Sequence, residues 1–120
     1  MIDDTRPIFV QIAERIEEDI LADRLAEEEQ APSTNQFAAL YQINPATAAK
    51  GINLLVDQGI LYKKRGLGMF VATGARERLI EKRRTEFFER YVAPMLQEAA
   101  KLGITEAQLA EIMRKGVKAQ

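Results

Sequence analysis

The stretch Asn44–Leu55 (NPATAAKGINLL) carries the signals of a short helix that begins sharply and buries one narrow face. Asn44 is a favourable N-cap, because its side-chain oxygen accepts hydrogen bonds from backbone N–H groups of the first turn. Pro45 follows at the first helical position, where its missing N–H and its fixed φ both suit a helix. Small or apolar residues then recur at the spacing of one helical face: Ala48, Gly51, Ile52 and Leu55.

The opposite face of this predicted helix holds small and polar side chains, one base and no acid: Ala46, Thr47, Ala49, Lys50 and Asn53. Such a face suits entry into a DNA major groove, because the backbone comes close while hydroxyl and amide groups reach base edges or phosphates. A solvated face on an ordinary core helix has the same composition, so this helix alone leaves both interpretations open.

The residues just upstream predict a second helix and a turn. Ser33 is the expected N-cap of a helix from Thr34 to about Tyr41, with Phe37, Ala38 and Leu40 as its candidates for burial. Gln42 and Ile43 then connect it to Asn44. A helix, a short turn and a second helix in this order predict a helix-turn-helix.

A further helix and a linker are predicted before Ser33. Isoleucines recur every four residues between Pro7 and Asp23, which is typical of a helix with one buried face. Residues 24–32 (RLAEEEQAP) are interpreted as a linker that ends at Pro32.

Gly59 ends the helix that begins at Asn44, which we call the recognition helix. A basic hairpin is predicted after it. Residues 60–64 and 69–72 form its strands, and residues 65–68 (RGLG) form its loop. The loop glycines allow positive φ and leave the tip low enough to approach a phosphate or a minor groove. The basic residues cluster at this tip: Lys63, Lys64 and Arg65. An ordinary basic hairpin is the alternative, whereas a nucleotide-phosphate loop is disfavoured because the spacing is not G-x-x-x-x-G-K-[ST].

The remainder of the chain predicts helices with a wide apolar stripe. One helical pattern runs from Ala75 to about Leu102, and Pro94 is expected to kink or split it. Thr105 with Gln108 fits a capping box that opens a last helix to about Lys115, followed by a frayed tail. Two helices are too few to bury the stripe, so subunit contact is favoured over a ligand pocket. The residues of the stripe are Phe88, Tyr91, Val92, Met95, Leu96, Leu109, Ile112 and Met113.

Composition excludes several classes of protein. The chain has no His and no Cys, so it lacks the usual zinc ligands and cannot build Ser-His-Asp or Cys-His catalysis; no cofactor is expected. No apolar run is long enough to span a membrane, and the acidic N-terminus does not fit a signal peptide, so the cytoplasm is the expected location. Net charge is −1, but residues 61–90 hold nine bases against four acids, a local basic field that suits phosphates.

Two blocks of the chain resemble the winged helix-turn-helix domain of the GntR family of bacterial transcriptional regulators. The resemblance covers residues 7–72 and rests on Q-I-A in the first helix, P-S before the second, the Gly59 turn and the R-G-x-G-x-F-V wing. The N-P-x-T start of the recognition helix and the later L-G-I-T-E resemble the YtrA-like subgroup. That resemblance implies a dimer through two C-terminal helices, no large effector domain, and often repression of transporter operons.

The resemblance also implies which residues contact DNA. They come from the starts of the second and recognition helices and from the wing glycine: Ser33, Thr34, Asn35, Asn44, Thr47, Lys50 and Gly66. The polar and basic character of the same surface adds Asn53, Lys63, Lys64 and Arg65. Asn35, Pro45 and Ala49 stand where many family members have arginine. We therefore expect readout through small contacts and DNA shape more than through arginine–guanine pairs.

Together these patterns predict a mainly α protein with a small β-hairpin wing. Residues 1–73 are the predicted winged helix-turn-helix DNA-binding domain, and residues 74–120 the predicted C-terminal helical dimerisation region. The predicted function is a sequence-specific regulator, a repressor that binds a palindromic operator in double-stranded DNA as a homodimer. The alternative is a winged-helix adaptor between proteins with no DNA target. An enzyme is the weakest interpretation, and the sequence names no small-molecule effector.

Overall fold

The computed structural model describes residues 5–118, which fold into two compact units that divide between Glu81 and Lys82. The first unit contains helices α1 (Ile8–Leu21), α2 (Thr34–Tyr41) and α3 (Pro45–Asp57), the strands β1 (Leu61–Lys64) and β2 (Gly68–Val71), and the start of α4 (Ala75–Phe87). The second holds the end of α4, a π-helical turn (Phe88–Val92), α5 (Ala93–Lys101) and α6 (Glu106–Lys118). This is the predicted mainly α architecture with one antiparallel hairpin, Leu61 pairing with Val71 and Lys64 with Gly68.

The core of the first unit is built from the apolar faces that the sequence indicated. Ile12, Ile16 and Ile20 of α1 are almost completely buried, and they pack in one cluster with Ile52 and Leu55 of α3. Gly51 allows α1 and α3 to approach closely, since a Cβ added there would lie 2.6 Å from the carbonyl oxygen of Phe9. The packing of α1 thus fixes the position of α3.

The predicted helix starts are confirmed. The Ser33 hydroxyl accepts a hydrogen bond from the backbone N–H of Gln36, while the Gln36 side chain accepts one from the Ser33 N–H. Asn44 Oδ1 accepts from the Ala46 N–H at 2.8 Å. The expected burial of Leu40 is wrong: its side chain is 73% exposed, because α2 is short and buries only Phe37 and Ala38.

Part of the predicted linker pairs with the outer edge of β2 in the hairpin. The N–H of Glu28 donates to the Val71 carbonyl at 2.8 Å, and the N–H of Val71 donates to the Glu29 carbonyl at 3.0 Å. Ala31 donates to the carbonyl of Met69 in the same way. The outer edge of β2 has backbone groups that β1 cannot satisfy, and this extended segment satisfies them.

Pro94 shifts the hydrogen-bond register of its helix without breaking it. Helical structure is continuous from Ala75 to Lys101, and the residues before Pro94 form the π turn, in which the N–H of Ala93 bonds to the Phe88 carbonyl. Because proline lacks an N–H, one carbonyl of the preceding turn would lose its usual partner, and a π turn changes which groups pair.

The last helix begins as predicted and ends later. The Thr105–Gln108 capping box is confirmed by reciprocal bonds of 2.9 and 3.2 Å. The expected frayed tail is wrong for residues 116–118, which continue α6 to Lys118, and residues 119–120 lie outside the described range. Among residues 5–118, no helix is long and apolar enough to cross a membrane.

Candidate nucleic-acid interface

The N-terminal ends of α2 and α3 present polar side chains on the surface of the first unit. Ala48, Gly51, Ile52 and Leu55 are all buried, so α3 is oriented as its pattern predicted. Of the predicted contact residues of these helices, Thr34 and Thr47 are partly buried. The others are exposed: Ser33, Asn35, Asn44, Lys50 and Asn53. Ala46 is exposed and Ala49 partly exposed, so two small side chains lie at the surface of α3.

Lys50 is held at the side of the recognition helix. Its Nζ lies 4.2 Å from the centre of the Phe9 ring, within the range of a cation–π interaction. The positive charge of α3 is therefore placed beside α1, while Asn53 extends the polar face by one further turn. Phe9 is a positioning residue that sequence reasoning missed, because its stripe indicated core packing alone.

The three basic residues of the hairpin do not form one cluster at its tip. Lys63 and Arg65 are exposed, but Lys64 is partly buried, with its Nζ 4.2 Å from the centre of the Phe70 ring. Successive side chains of a strand point to opposite faces, so Lys63 and Lys64 cannot act together on one side. The expected cluster is thereby reduced to Lys63 and Arg65, with Lys64 packed on the aromatic face.

The tip of the hairpin is held by a residue from the preceding segment. Gly66 and Gly68 have φ of 78° and 118°, which favour glycine, and Leu67 lies between them. The Gln30 side chain donates a 2.7 Å hydrogen bond to the Leu67 carbonyl. No local pattern indicates Gln30, since the contact depends on the pairing of its segment with β2.

The acidic residues of that segment accept hydrogen bonds from other residues of the first unit. The Glu27 carboxylate accepts hydrogen bonds from the N–H groups of Gly74 and Arg76 at the start of α4, where the helix dipole favours a negative charge. Glu29 accepts from the N–H of Ala26 at 2.7 Å. By contrast, residues 33–53 and 60–76 contain no acid, so α2, the start of α3 and the hairpin add no negative charge.

Glu28 joins the base of the hairpin, at the end away from Gly66. Its carboxylate accepts hydrogen bonds from Thr73 Oγ1 at 2.6 Å and from the Tyr62 hydroxyl. These bonds, that of Thr73 first, hold the pKa of Glu28 below its usual value of 4.5. The same carboxylate raises the pKa of Tyr62 above 10.0, because it favours the protonated phenol.

Replacing Glu28 by glutamine should lower stability in a pH-dependent way. A carboxylate with a lowered pKa stabilises the fold above its unfolded pKa, and this stabilisation disappears as the pH falls through the lower folded value. We therefore expect Glu28→Gln to unfold at lower urea concentration than wild type at neutral pH, and the gap to close in strong acid. Urea titrations at both pH values measure this. A gap that persists unchanged in acid would contradict the assigned role of the charge.

These features define a winged helix-turn-helix DNA-binding protein: two capped helix starts and a glycine-rich basic hairpin in one compact unit. The chain belongs to the gntR family of bacterial regulatory proteins, whose family model matches residues 9–71. Members of this family are transcriptional regulators, so the chain is a DNA-binding regulator and not an enzyme.

Two curated relatives from Bacillus subtilis (strain 168) match nearly the whole chain. The uncharacterised HTH-type transcriptional regulator YhcF is 28% identical over 109 residues, which are 89% of this chain and 87% of YhcF. The HTH-type transcriptional repressor YtrA is 27% identical over 106 residues, 88% of this chain and 75% of YtrA. The 106 matched residues exceed the winged helix-turn-helix, so the similarity to YtrA extends beyond that domain.

Solved structures show the same fold. A GntR-family regulator from Bacteroides thetaiotaomicron is 31% identical and superposes with a TM-score of 0.77. The alignment covers 94% of this chain and 98% of that one. The DNA-binding domain of AraR in complex with the operator ORX1 is 31% identical, with a TM-score of 0.55 over 57% of this chain and 82% of the other. The part matched in AraR is a domain that binds operator DNA.

Proposed function

We propose that this regulator is a homodimeric repressor that binds a palindromic operator. The observation that carries the proposal is that the starts of α2 and α3 and the hairpin wing carry polar and basic side chains and no acid of their own. A surface of this kind tolerates phosphates, and its recognition helix has the small exposed side chains that close approach to bases needs. The named function of YtrA as a repressor and the AraR–operator complex support the same assignment.

In the proposed complex α3 enters a major groove. Thr47 and Asn53 supply a hydroxyl and an amide to base edges, and Lys50 supplies charge to the neighbouring phosphates. Ser33, Thr34, Asn35 and Asn44 lie at helix N-termini, where the backbone N–H groups and dipole favour a phosphate. Without arginines on this face, specificity depends mainly on DNA shape.

The wing follows the DNA backbone into the adjacent minor groove. Lys63 and Arg65 are exposed and contact phosphates. Gly66 has no side chain and faces open space, so DNA can approach its backbone closely. Lys64 has a smaller part, because its side chain is partly buried with the ammonium group over Phe70, whereas Lys50 is exposed beside Phe9.

A two-fold dimer accounts for the apolar face of the second unit. Phe88, Tyr91 and Ile112 are each more than half exposed, and exposed apolar surface of this extent favours a partner. The other proposed contact residues lie in the same unit and are partly or largely exposed: Val92, Met95, Leu96, Leu109 and Met113. A two-fold dimer presents two recognition helices, so the operator should be palindromic, with half-sites about one DNA turn apart.

The proposed regulation is occupation of a promoter by the bound dimer, in the cytoplasm where bacterial DNA lies. Selection of bound sequences from a random DNA pool tests the function directly. We expect a palindrome whose half-sites are separated by about one helical turn. A protein–protein adaptor would enrich no sequence and would give no salt-dependent gel shift. An unpaired half-site would contradict the dimer.

Removing the two exposed wing charges should lower the salt dependence of binding. For Lys63→Ala with Arg65→Ala, we expect the slope of log affinity against log salt to fall by about two, since each lost phosphate contact removes about one. Lys115→Ala with Lys118→Ala is the matched control, because it removes two exposed charges from α6. Equal slopes for the wing variant and wild type would contradict the proposed phosphate contacts.

A further inference from the structure

Leu67 is an exposed leucine in the loop at the tip of the wing, two residues after Arg65. Its side chain is 64% exposed, and it stands between Gly66 and Gly68. Single exposed leucines are common on protein surfaces and mean little by themselves. The backbone that carries Leu67 sets it apart, because it is fixed on both sides of the residue.

Two hydrogen bonds fix the backbone of Leu67. Its N–H donates to the Lys64 carbonyl at 2.9 Å, which closes the turn, and its carbonyl accepts from Gln30 Nε2 at 2.7 Å. The second bond ties the tip to the segment that pairs with β2, so the tip is supported from outside the hairpin. A backbone held in this way needs little further ordering on binding, which favours affinity.

The charges near Leu67 favour nucleic acid over protein as its partner. Lys63 and Arg65 precede it in the same hairpin, and residues 60–76 contain no acid. These positive charges attract the hairpin to the phosphates beside a groove, where an exposed apolar side chain at the tip meets sugars and base edges. Leucine is one of the side chains that proteins insert into the minor groove, where it partly unstacks a base step and bends the duplex.

We propose that Leu67 is a specificity-determining residue that enters the minor groove as an apolar wedge at a deformable base step. The inference rests on the proposed function and deepens it, since it adds an apolar contact with the bases to the contacts that Lys63 and Arg65 make with phosphates. It implies a preference for pyrimidine–purine steps under the wing, because these are unstacked most easily. The regulator would thus read part of its operator through deformation of the DNA.

The test compares Leu67→Ala with wild type on the DNA sequence that selection returns. We expect affinity to fall about tenfold, from the lost burial of a leucine, with an unchanged salt slope because no charge is removed. Energy transfer between dyes at the duplex ends should report a smaller bend. Leu67→Met should keep most of the affinity, since methionine is also long and apolar.

Leu102→Ala is the matched control, because Leu102 is also 64% exposed but lies in the second unit. It should bind as wild type does. Affinity of Leu67→Ala within twofold of wild type, or a fall matched by Leu102→Ala, would overturn the wedge. With either result, DNA binding by the wild-type protein would still support the proposed function. If the wild-type protein bound no DNA, the proposed function itself would be refuted.

Discussion

A Gly51→Ala variant should lose about 1–3 kcal/mol of unfolding free energy, although alanine normally favours a helix over glycine. The added Cβ would lie 2.6 Å from the Phe9 carbonyl oxygen and 3.0 Å from side-chain atoms of Ile12. The carbonyl belongs to the backbone of α1 and cannot rotate away, so α1 and α3 must move apart. Operator affinity should fall as well, since α3 is the proposed recognition helix.

Gly116→Ala supplies the control for this variant. Gly116 lies within α6, and an added Cβ there would meet nothing within 4 Å. That variant should therefore keep or gain stability, by at most about 1 kcal/mol from the better helix propensity of alanine. Thermal and urea denaturation of both variants measure the contrast. A Gly51→Ala protein as stable as wild type would contradict the close approach of the two helices.

The elements of this fold that follow from local rules were predictable. Ser33 and Asn44 are caps because a short polar side chain at a helix start can reach the free N–H groups of its own first turn. The isoleucines of α1 recur at the helical period, and that period fixes the buried face before any partner is known. The same reasoning located the hairpin, because glycines mark positions of positive φ.

What the sequence could not supply depends on contacts between distant segments. The pairing of Glu28 and Ala31 with β2 has no local signal, and the acid-rich composition of residues 24–32 suggested only a loop. The hydrogen bond from Gln30 to the wing tip follows from that pairing. Lys64 looked like one more charge at the tip, but it lies on the same strand face as Tyr62, whose partner across the hairpin is Phe70.

Sequence reasoning also left the apolar face of the second unit incomplete. Phe87 is 56% exposed, and its ring centre lies 5.7 Å from that of Tyr91, yet it was absent from the predicted stripe. Phe87 lies four residues before Tyr91, a spacing that places both on one helical face, so the sequence held this signal and the predicted stripe left it out. Phe87 therefore belongs with the proposed dimer contacts.

Placing a charge on this face should convert the protein to a monomer. For Tyr91→Asp, the carboxylate would enter a proposed interface of aromatic and aliphatic side chains, where an unpaired buried charge is strongly unfavourable. We expect the variant to sediment as a monomer at concentrations where wild type is a dimer. Its affinity for the full palindrome should fall by about 100-fold or more, because two linked half-sites no longer bind together.

Affinity for an isolated half-site separates this mechanism from misfolding. The winged helix-turn-helix is unaltered in Tyr91→Asp, so the variant should bind a half-site as tightly as a wild-type protomer does. Gln97→Asp is the matched control: Gln97 is an exposed polar residue of α5, and the same change of charge there should leave the dimer intact. A Tyr91→Asp protein that remains dimeric, or a wild type that is monomeric at micromolar concentration, would remove the basis for a palindromic operator. Loss of half-site binding together with dimerisation would instead show that the substitution disrupts the fold, and Ile112→Asp on α6 would then repeat the test from the other helix.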